Sequence, residues 1–302
     1  MSSRRDAIAA SFHEQQQAER EIAARRHTLG ASEVAAIFGF SRFSSPYALW
    51  AKLHGLTTDQ PTGATLRGQI IEPAFRDWYA GRLGVQIVPG PRYEETPWQR
   101  LDAPWQAARP DGHWIDDQGL HLLEIKTTRD WYGWDDGPPP DYRFQVLWQQ
   151  WVAEGMGWSV PLVDSHLIAY CPMAEDFRDF QLSWDEKAQR RAARLSELAT
   201  EWWERHIIGG EPPEVDAHAA TRDALRQVYA RPTRTYLEPT PHLAALVADF
   251  RAAKAQADAA KGPFELARNR LVAAIGDAAG IDGLCTYSAG KARRLTLKGE
   301  EE

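Results

Sequence analysis

Cysteine is nearly absent. Cys171 and Cys285 are the only two in 302 residues, far apart and without C-x-x-C spacing. That excludes a disulfide framework, a cysteine zinc site and an iron–sulfur centre built on a cysteine cluster. Such a chain suits a reducing compartment. Long apolar runs are also missing. The opening stretch MSSRRDAIAASFHEQQQAER has no continuous apolar segment of the signal-peptide kind, and no later run approaches the length of a membrane span. The expectation is a cytoplasmic protein with no membrane partner. Internal repeats and low-complexity tracts are lacking too, and so is an excess of positive charge. A net charge of −7 argues against a broad phosphate-binding surface but leaves room for a local basic stripe beside an acidic site.

What is present is an ordinary globular balance, 43% hydrophobic and 25% charged, with an unusually high 13 Trp. The length allows one large core plus an appendage. Gly209, Gly210, Pro212 and Pro213 break the chain, so the expected division is a main domain over 1–215 and an extension over 216–302. In the extension, the Ala-rich, charged stretch 240–280, with Gly262 and Pro263 in the middle, reads as a helical hairpin, and CTYSAGKARRLTLKG reads as a terminal β-hairpin.

Along the main domain the pattern predicts a mixed-charge helix over 6–26, then a short buried helix capped by Ser32, then a helix with Ser45 as N-cap, Pro46 in its first position and Gly55 at its end. A further helix begins near Gly68, ends at Gly84, and carries Glu72 in its first turn beside Pro73. From Val85 to Trp134 the period shortens to two, and an antiparallel sheet is expected, with Asp116–Gly119 as its clearest hairpin turn. A helix over DYRFQVLWQQWVAEG, a strand over PLVDSHLIAY and a long amphipathic helix from Asp185 to His206 follow.

The strongest chemical signal is PDGHWIDDQGLHLLEIK. Asp111 ends one strand, a polar turn reverses the chain, and Glu124 and Lys126 lie two apart on the returning strand, so they share a face while Leu123 and Ile125 point into the core. Two carboxylates beside an ammonium suit phosphodiester hydrolysis, because hard Mg²⁺ prefers oxygen ligands and can activate water and polarise a phosphate. Glu72, on the preceding helix, can add a third carboxylate. His113 and His121 flank the motif and are expected to be structural, since this chemistry needs no histidine.

These segments together, RRHTLGASEVAAIFGFSRFSSPYALW, RGQIIEPAFRDWYAGRLG, ARPDGH, LLEIKTT and FQVLWQQWVAEG, resemble the YqaJ-type viral recombinase nucleases, relatives of the phage lambda exonuclease in the PD-(D/E)XK superfamily. The resemblance implies an α/β PD-(D/E)XK nuclease core, with a mixed central sheet flanked by helices, plus a helical C-terminal extension. It implies metal ligation by Glu72, Asp111, Glu124 and the Ile125 carbonyl, with Mg²⁺ or Mn²⁺ as the ion, Lys126 as the catalytic lysine and Gln145 as a contact to lysine, water or DNA backbone. Arg25, with Arg26 as its neighbouring alternative, and Ser32 match positions that bind a 5′ phosphate. The family commonly has a second glutamine two residues after Gln145, where this chain has Leu147, with Gln149 and Gln150 beyond.

The implied activity is 5′-to-3′ digestion of duplex DNA from an end, leaving a 3′ single strand for recombination. Implied partners are double-stranded DNA ends, a RecT-like single-strand annealing protein and further copies of the chain in a ring-shaped homo-oligomer. A PD-(D/E)XK endonuclease is the nearest alternative. A catalytically silent DNA-binding module is another, against which the presence of Glu72, Asp111, Glu124 and Lys126 speaks.

Overall fold

The computed structural model describes residues 28–58, 63–231, 235–288 and 293–297. The helix expected over 6–26, with Arg25 and Arg26, lies outside the described residues, as does Lys291. The chain divides into two compact units, 1–232 and 233–302.

The first unit is built on a five-stranded mixed sheet in the order β2–β5–β6–β7–β8. Its strands are β2 (Val88–Pro89), β5 (Gly112–Ile115), β6 (Leu120–Thr127), β7 (Leu162–Cys171) and β8 (Asp176–Ser183). A smaller sheet joins β1 (Leu29–Gly30), β4 (Gln106–Ala108) and β3 (Trp98–Gln99). β5 and β6 form the expected hairpin. Asp116 N donates to Gly119 O at 3.0 Å, the Asp116 carboxylate accepts from the backbone of Gln118 and Gly119, and Gly119 takes a φ of 142°. The sheet is not wholly antiparallel, because β6 and β7 run parallel through a helical crossover, with a register shift between Leu120 and His121.

Helices cover both faces. α1 (Val34–Ile37), α2 (Pro46–Leu53), α3 (Gly63–Leu83), α4 (Pro140–Glu154) and α5 (Glu186–Trp202) run in chain order, and a π-helical turn, Trp203–Ile208, extends α5. Ser45 caps α2 through a bond from Ala48 N at 3.1 Å, with Pro46 in the first turn and Gly55 beyond the end at a φ of 66°. On one side of the sheet, α3 sets Phe75 and Tyr79 against Trp114, Leu123, Ile125 and Ile168. On the other, α4 sets Val146 against Leu167 and Ala169, and its Trp148 enters a core with Leu29, Ile37, Leu195 and Trp202. Truncating a buried tryptophan such as Trp148 to alanine would cost about 3–5 kcal/mol.

Two further expectations for this unit change. α3 starts at Gly63, so Glu72 sits mid-helix and Pro73 lies inside it. The residues before Pro73 keep helical backbone although the proline supplies no N–H. The boundary expected near 215 falls after Pro232, because α6 (Ala219–Val228) packs Ala224, Leu225 and Val228 against Tyr47 and Ala51 of α2, and Thr221 Oγ1 lies 2.6 Å from Ser45 Oγ.

The second unit holds α7 (Pro241–Ile275), then β9 (Gly280–Ile281), β10 (Cys285–Ser288) and β11 (Arg294–Leu297) in an antiparallel sheet. The terminal hairpin is thus present with one added strand. The helical hairpin is instead one continuous helix through Gly262 and Pro263. Strong helix formers on both sides outweigh local penalties of about 1 kcal/mol for glycine and 3 kcal/mol for proline. Among the described residues no helix is long and apolar enough to cross a membrane.

Candidate active site

The alternation along β6 sends Glu124 and Lys126 to the face covered by α4 and sends Leu123 and Ile125 beneath α3. Glu124 is 2% exposed. Its Oε1 accepts from Gln145 Nε2 at 2.6 Å and lies 2.5 Å from Lys126 Nζ, and its Oε2 accepts from Gln149 Nε2 at 2.6 Å. Lys126 Nζ also stands 5.0 Å from the Tyr142 ring centroid. Gln145 and Gln149 are one helical turn apart, so α4 presents both amides to one carboxylate. Gln149 was not singled out by the sequence reading. A shift of two positions would point elsewhere on a helix, whereas the i, i+4 spacing was visible and would have found it.

Asp111 reaches the same place from the start of β5. Its N–H donates to Leu123 O at 3.0 Å, and its Oδ2 accepts from Ile125 N at 2.6 Å. The aspartate is thereby docked on the backbone between Glu124 and Lys126. β5 begins opposite Leu123, so the Ile125 peptide edge lies beyond the first strand pair, on the Asp111 side. The turn that delivers Asp111 is tight: a Cβ on Gly90 would stand 1.7 Å from Pro110 O. Glu72 arrives from α3, anchored by Arg76, whose Nη1 lies 3.3 Å from Glu72 Oε1 and donates to Asp111 O at 3.2 Å.

Burial, and then repulsion from Glu124, raises the Asp111 carboxyl well above the ordinary range, against the pull of Lys126. Burial also raises Glu72; the Arg76 guanidinium opposes this and Glu124 adds to it. Burial works against the Lys126 charge, yet Glu124 and Asp111 raise its ammonium above the usual lysine value. The constellation is a crowded set of oxygen donors with more negative charge than Lys126 and Arg76 relieve. The buried Gln149 Oε1, with no hydrogen-bond partner among the described residues, adds one more unpartnered acceptor. This donor set fits a hard divalent cation that keeps part of its water shell.

Ser32 is placed differently from expectation. It is an exposed turn residue, and the N-cap of α1 is Glu33, whose Oε2 accepts from Gly30 N at 2.9 Å. The four residues of α1 follow that turn directly, and the Ser32 side chain caps nothing. Ser32 nevertheless lines a cleft of about 520 Å³ together with Gln145, Lys52 and Arg109, so it borders the same opening as Gln145 of α4. Of the aromatic residues near the site, Trp134 is buried, Trp131 faces the Arg178 guanidinium at 4.4 Å, and Trp151 donates to Gln106 Oε1 at 2.7 Å.

Residues 22–155 match the family model of the YqaJ-like viral recombinase domain. This YqaJ-like region contains Glu72, Asp111, Glu124, Lys126, Gln145 and Gln149. The chain is also similar to solved structures. An alkaline exonuclease from Laribacter hongkongensis is 21% identical with a TM-score of 0.46, covering 63% of this chain and 95% of its own. A phage-related exonuclease from Haemophilus somnus is 9% identical with a TM-score of 0.44, covering 61% and 96%. A putative exonuclease from Eubacterium rectale is 14% identical with a TM-score of 0.43, covering 74% and 94%. No curated protein matches.

Proposed function

We propose that the protein is a Mg²⁺- or Mn²⁺-dependent exonuclease that digests double-stranded DNA 5′-to-3′ from an end and leaves a 3′ strand for single-strand annealing recombination. The observation that carries this reading is Glu124, whose carboxylate is held by two glutamine amides and Lys126 on the strand that also docks Asp111, with Glu72 facing them from α3. Glu72, Asp111, Glu124 and the Ile125 carbonyl would hold the ion. The match to a viral recombinase domain supports the recombination role.

When bound, the ion supplies a polarised phosphate and an activated water. The chain's own residues do the rest. Gln145 and Gln149 fix the Glu124 carboxylate in one orientation, and Arg76 does the same for Glu72. Lys126 keeps its proton and so is no general base. It offers charge and a hydrogen bond to the phosphoryl oxygens as charge develops there. Ser32, together with Arg25 or Arg26, would receive the terminal 5′ phosphate, for which a guanidinium offers a bidentate fork. By family resemblance the working assembly is a ring-shaped oligomer partnered by a RecT-like annealing protein.

A linear duplex labelled separately at its 5′ and 3′ ends, beside a closed circular plasmid, tests this. The expected result is Mg²⁺-dependent release of 5′ label first and a spared circle, with faster digestion of 5′-phosphorylated than 5′-hydroxyl ends. Cutting of the circle would assign an endonuclease, and earlier release of 3′ label would reverse the polarity.

A further inference from the structure

The face of the sheet turned away from Glu124 carries a second cluster of ligating groups. His121 on β6 pairs in register with Asp164 on β7, and His166 lies two residues further along β7, so all three project to the side covered by α3. His121 Nδ1 lies 2.6 Å from Asp164 Oδ1, and His166 Nε2 lies 3.7 Å from the same oxygen. One ligand atom from each residue falls within 4.8 Å of the others.

The outer nitrogen of each imidazole is already held. His121 Nε2 lies 3.1 Å from Asp116 Oδ1 in the β5–β6 turn, and Trp114 stacks on the ring at 4.8 Å. His166 Nδ1 lies 2.6 Å from Tyr79 Oη, and Tyr79 donates to Asp179 Oδ2 at 2.6 Å. Because the phenol proton goes to Asp179, His166 Nδ1 must carry the proton of its own bond. A neutral His166 therefore turns the bare lone pair of Nε2 toward a carboxylate oxygen, beyond hydrogen-bond range. The other Asp164 oxygen, Oδ2, accepts from the Gln181 amide. Two inward-facing nitrogens, oriented from behind by the Asp116 carboxylate and the Tyr79 phenol, and one carboxylate oxygen, oriented by the Gln181 amide, follow the pattern in which outer partners fix the ligands of a metal.

We propose that His121 Nδ1, Asp164 Oδ1 and His166 Nε2 form a second metal site, for a borderline divalent transition ion of the Zn²⁺ type, separate from the nuclease centre. The donor chemistry sorts the two sites. Imidazole nitrogens suit zinc, whereas the all-oxygen set around Glu124 suits Mg²⁺. Tetrahedral ligands about 2.0 Å from zinc stand roughly 3.3 Å apart, so binding spreads the 2.6 Å His121–Asp164 pair by roughly 0.7 Å and closes the 3.7 Å His166–Asp164 gap by roughly 0.4 Å. His121 Nδ1 gives up its proton on binding, and Nε2 keeps the one it shares with Asp116. Water completes the fourth position.

The consequence for the fold is mechanical. Ligands from β6 and β7, backed by Tyr79 of α3, tie that helix to the sheet, and Glu72 lies two turns before Tyr79 on the same helix face. The ion would act as a structural clamp on the helix that delivers Glu72.

The test is calorimetric titration of Zn²⁺ alone into chelator-treated full-length protein, in two buffers of different ionisation enthalpy, with Co²⁺ absorption as a report of ligand geometry. The variants are Asp111→Asn/Glu124→Gln, His166→Gln and Asp116→Asn. We expect one equivalent bound with proton release in the wild type and in Asp111→Asn/Glu124→Gln. His166→Gln should abolish binding, and Asp116→Asn should weaken it roughly ten- to hundredfold. Loss of Zn²⁺ binding in Asp111→Asn/Glu124→Gln would overturn the proposal, because the ion would then belong to the nuclease centre. So would wild-type affinity in His166→Gln. If His166→Gln fails to fold, Asp116→Asn decides: it lies at the turn, and unchanged affinity there overturns the site.

Discussion

Gln149 and Gln150 are adjacent on α4 and equally hidden, 1% and 2% exposed. Each spends its amide on a different neighbour. Gln149 Nε2 donates to Glu124 Oε2 at 2.6 Å, while Gln150 Nε2 donates to Leu182 O of β8 at 2.7 Å. Replacing either by leucine keeps the volume roughly constant and removes one buried hydrogen bond. Leaving the Leu182 carbonyl unpaired should cost Gln150→Leu about 1–3 kcal/mol of stability. Gln149→Leu should cost a similar amount, since a bond to a carboxylate is worth about 1.5–3 kcal/mol and its own Oε1 has no partner to lose. The two should part in turnover. If the Gln149 bond orients Glu124 during the reaction, its full worth enters the barrier, and at 1.36 kcal/mol per tenfold the rate falls roughly ten- to hundredfold. Gln150→Leu should stay within about threefold of wild type at a temperature where both variants are folded. The assay is initial-rate digestion of a linear duplex at saturating Mg²⁺, paired with urea unfolding of each variant. Equal rates for the two variants would refute the assignment of Gln149 to the site.

Other substitutions probe the charge and the backbone around the same centre. Asp111 binds its proton more tightly folded than unfolded. Without divalent cation, stability should therefore fall as pH rises from about 4, the unfolded carboxyl value, through the raised folded one. Asp111→Asn should flatten that fall in urea midpoints while abolishing digestion, and an unchanged slope would show that Asp111 is not the strained carboxylate. Lys126→Met should lower turnover roughly a hundred- to thousandfold while calorimetry finds Mg²⁺ affinity nearly intact; full turnover restored by excess Mg²⁺ would instead make Lys126 a determinant of metal binding. Gly90→Ala drives a methyl into Pro110 O and should lower thermal stability by about 1–3 kcal/mol along with activity. Gly68→Ala, in helical backbone with open space around it, should raise stability by about 1 kcal/mol, and the opposite order of melting temperatures would contradict both placements.

The β5–turn–β6 hairpin was legible in sequence because two local signals agree there, the alternation of LHLLEIK and the Asp116–Gly119 turn. The cap at Ser45 was legible for the same reason, and the helix expected from Asp185 starts there, with Asp185 itself as its cap. Proline and glycine misled where tertiary structure overrode them: the helix start was placed near Gly68, with Pro73 close to the first turn, and Gly262–Pro263 read as a break, yet α3 starts at Gly63 and both α3 and α7 run through their prolines. Ser32 looked like a cap because its residue type suits one, but the cap position falls one residue later at Glu33, whose carboxylate turns back to accept from Gly30 N. The meeting of His121 with Asp164 and His166 had no local sign, since it depends on β6 and β7 pairing in parallel across a whole helix. The approach of Asp111 to Ile125 N was hidden likewise, because it is set by where β5 starts.

The register shift falls on β7, where Leu162 and Asp164 pair with the consecutive residues Leu120 and His121, so β6 itself alternates without a break. Every even residue from Leu122 to Lys126 looks toward α4 and every odd one toward α3, so one residue inserted within β6 would turn Ile125 into the cleft and Glu124 under α3. Upstream, Asp116, Asp117 and Gln118 are exposed and lie outside the paired strands, so an extra residue there lengthens the turn before the frame of β6 is fixed. Length changes in this hairpin should therefore be tolerated on one side of Leu120 and ruinous on the other, a polarity that follows from the parity of a single strand.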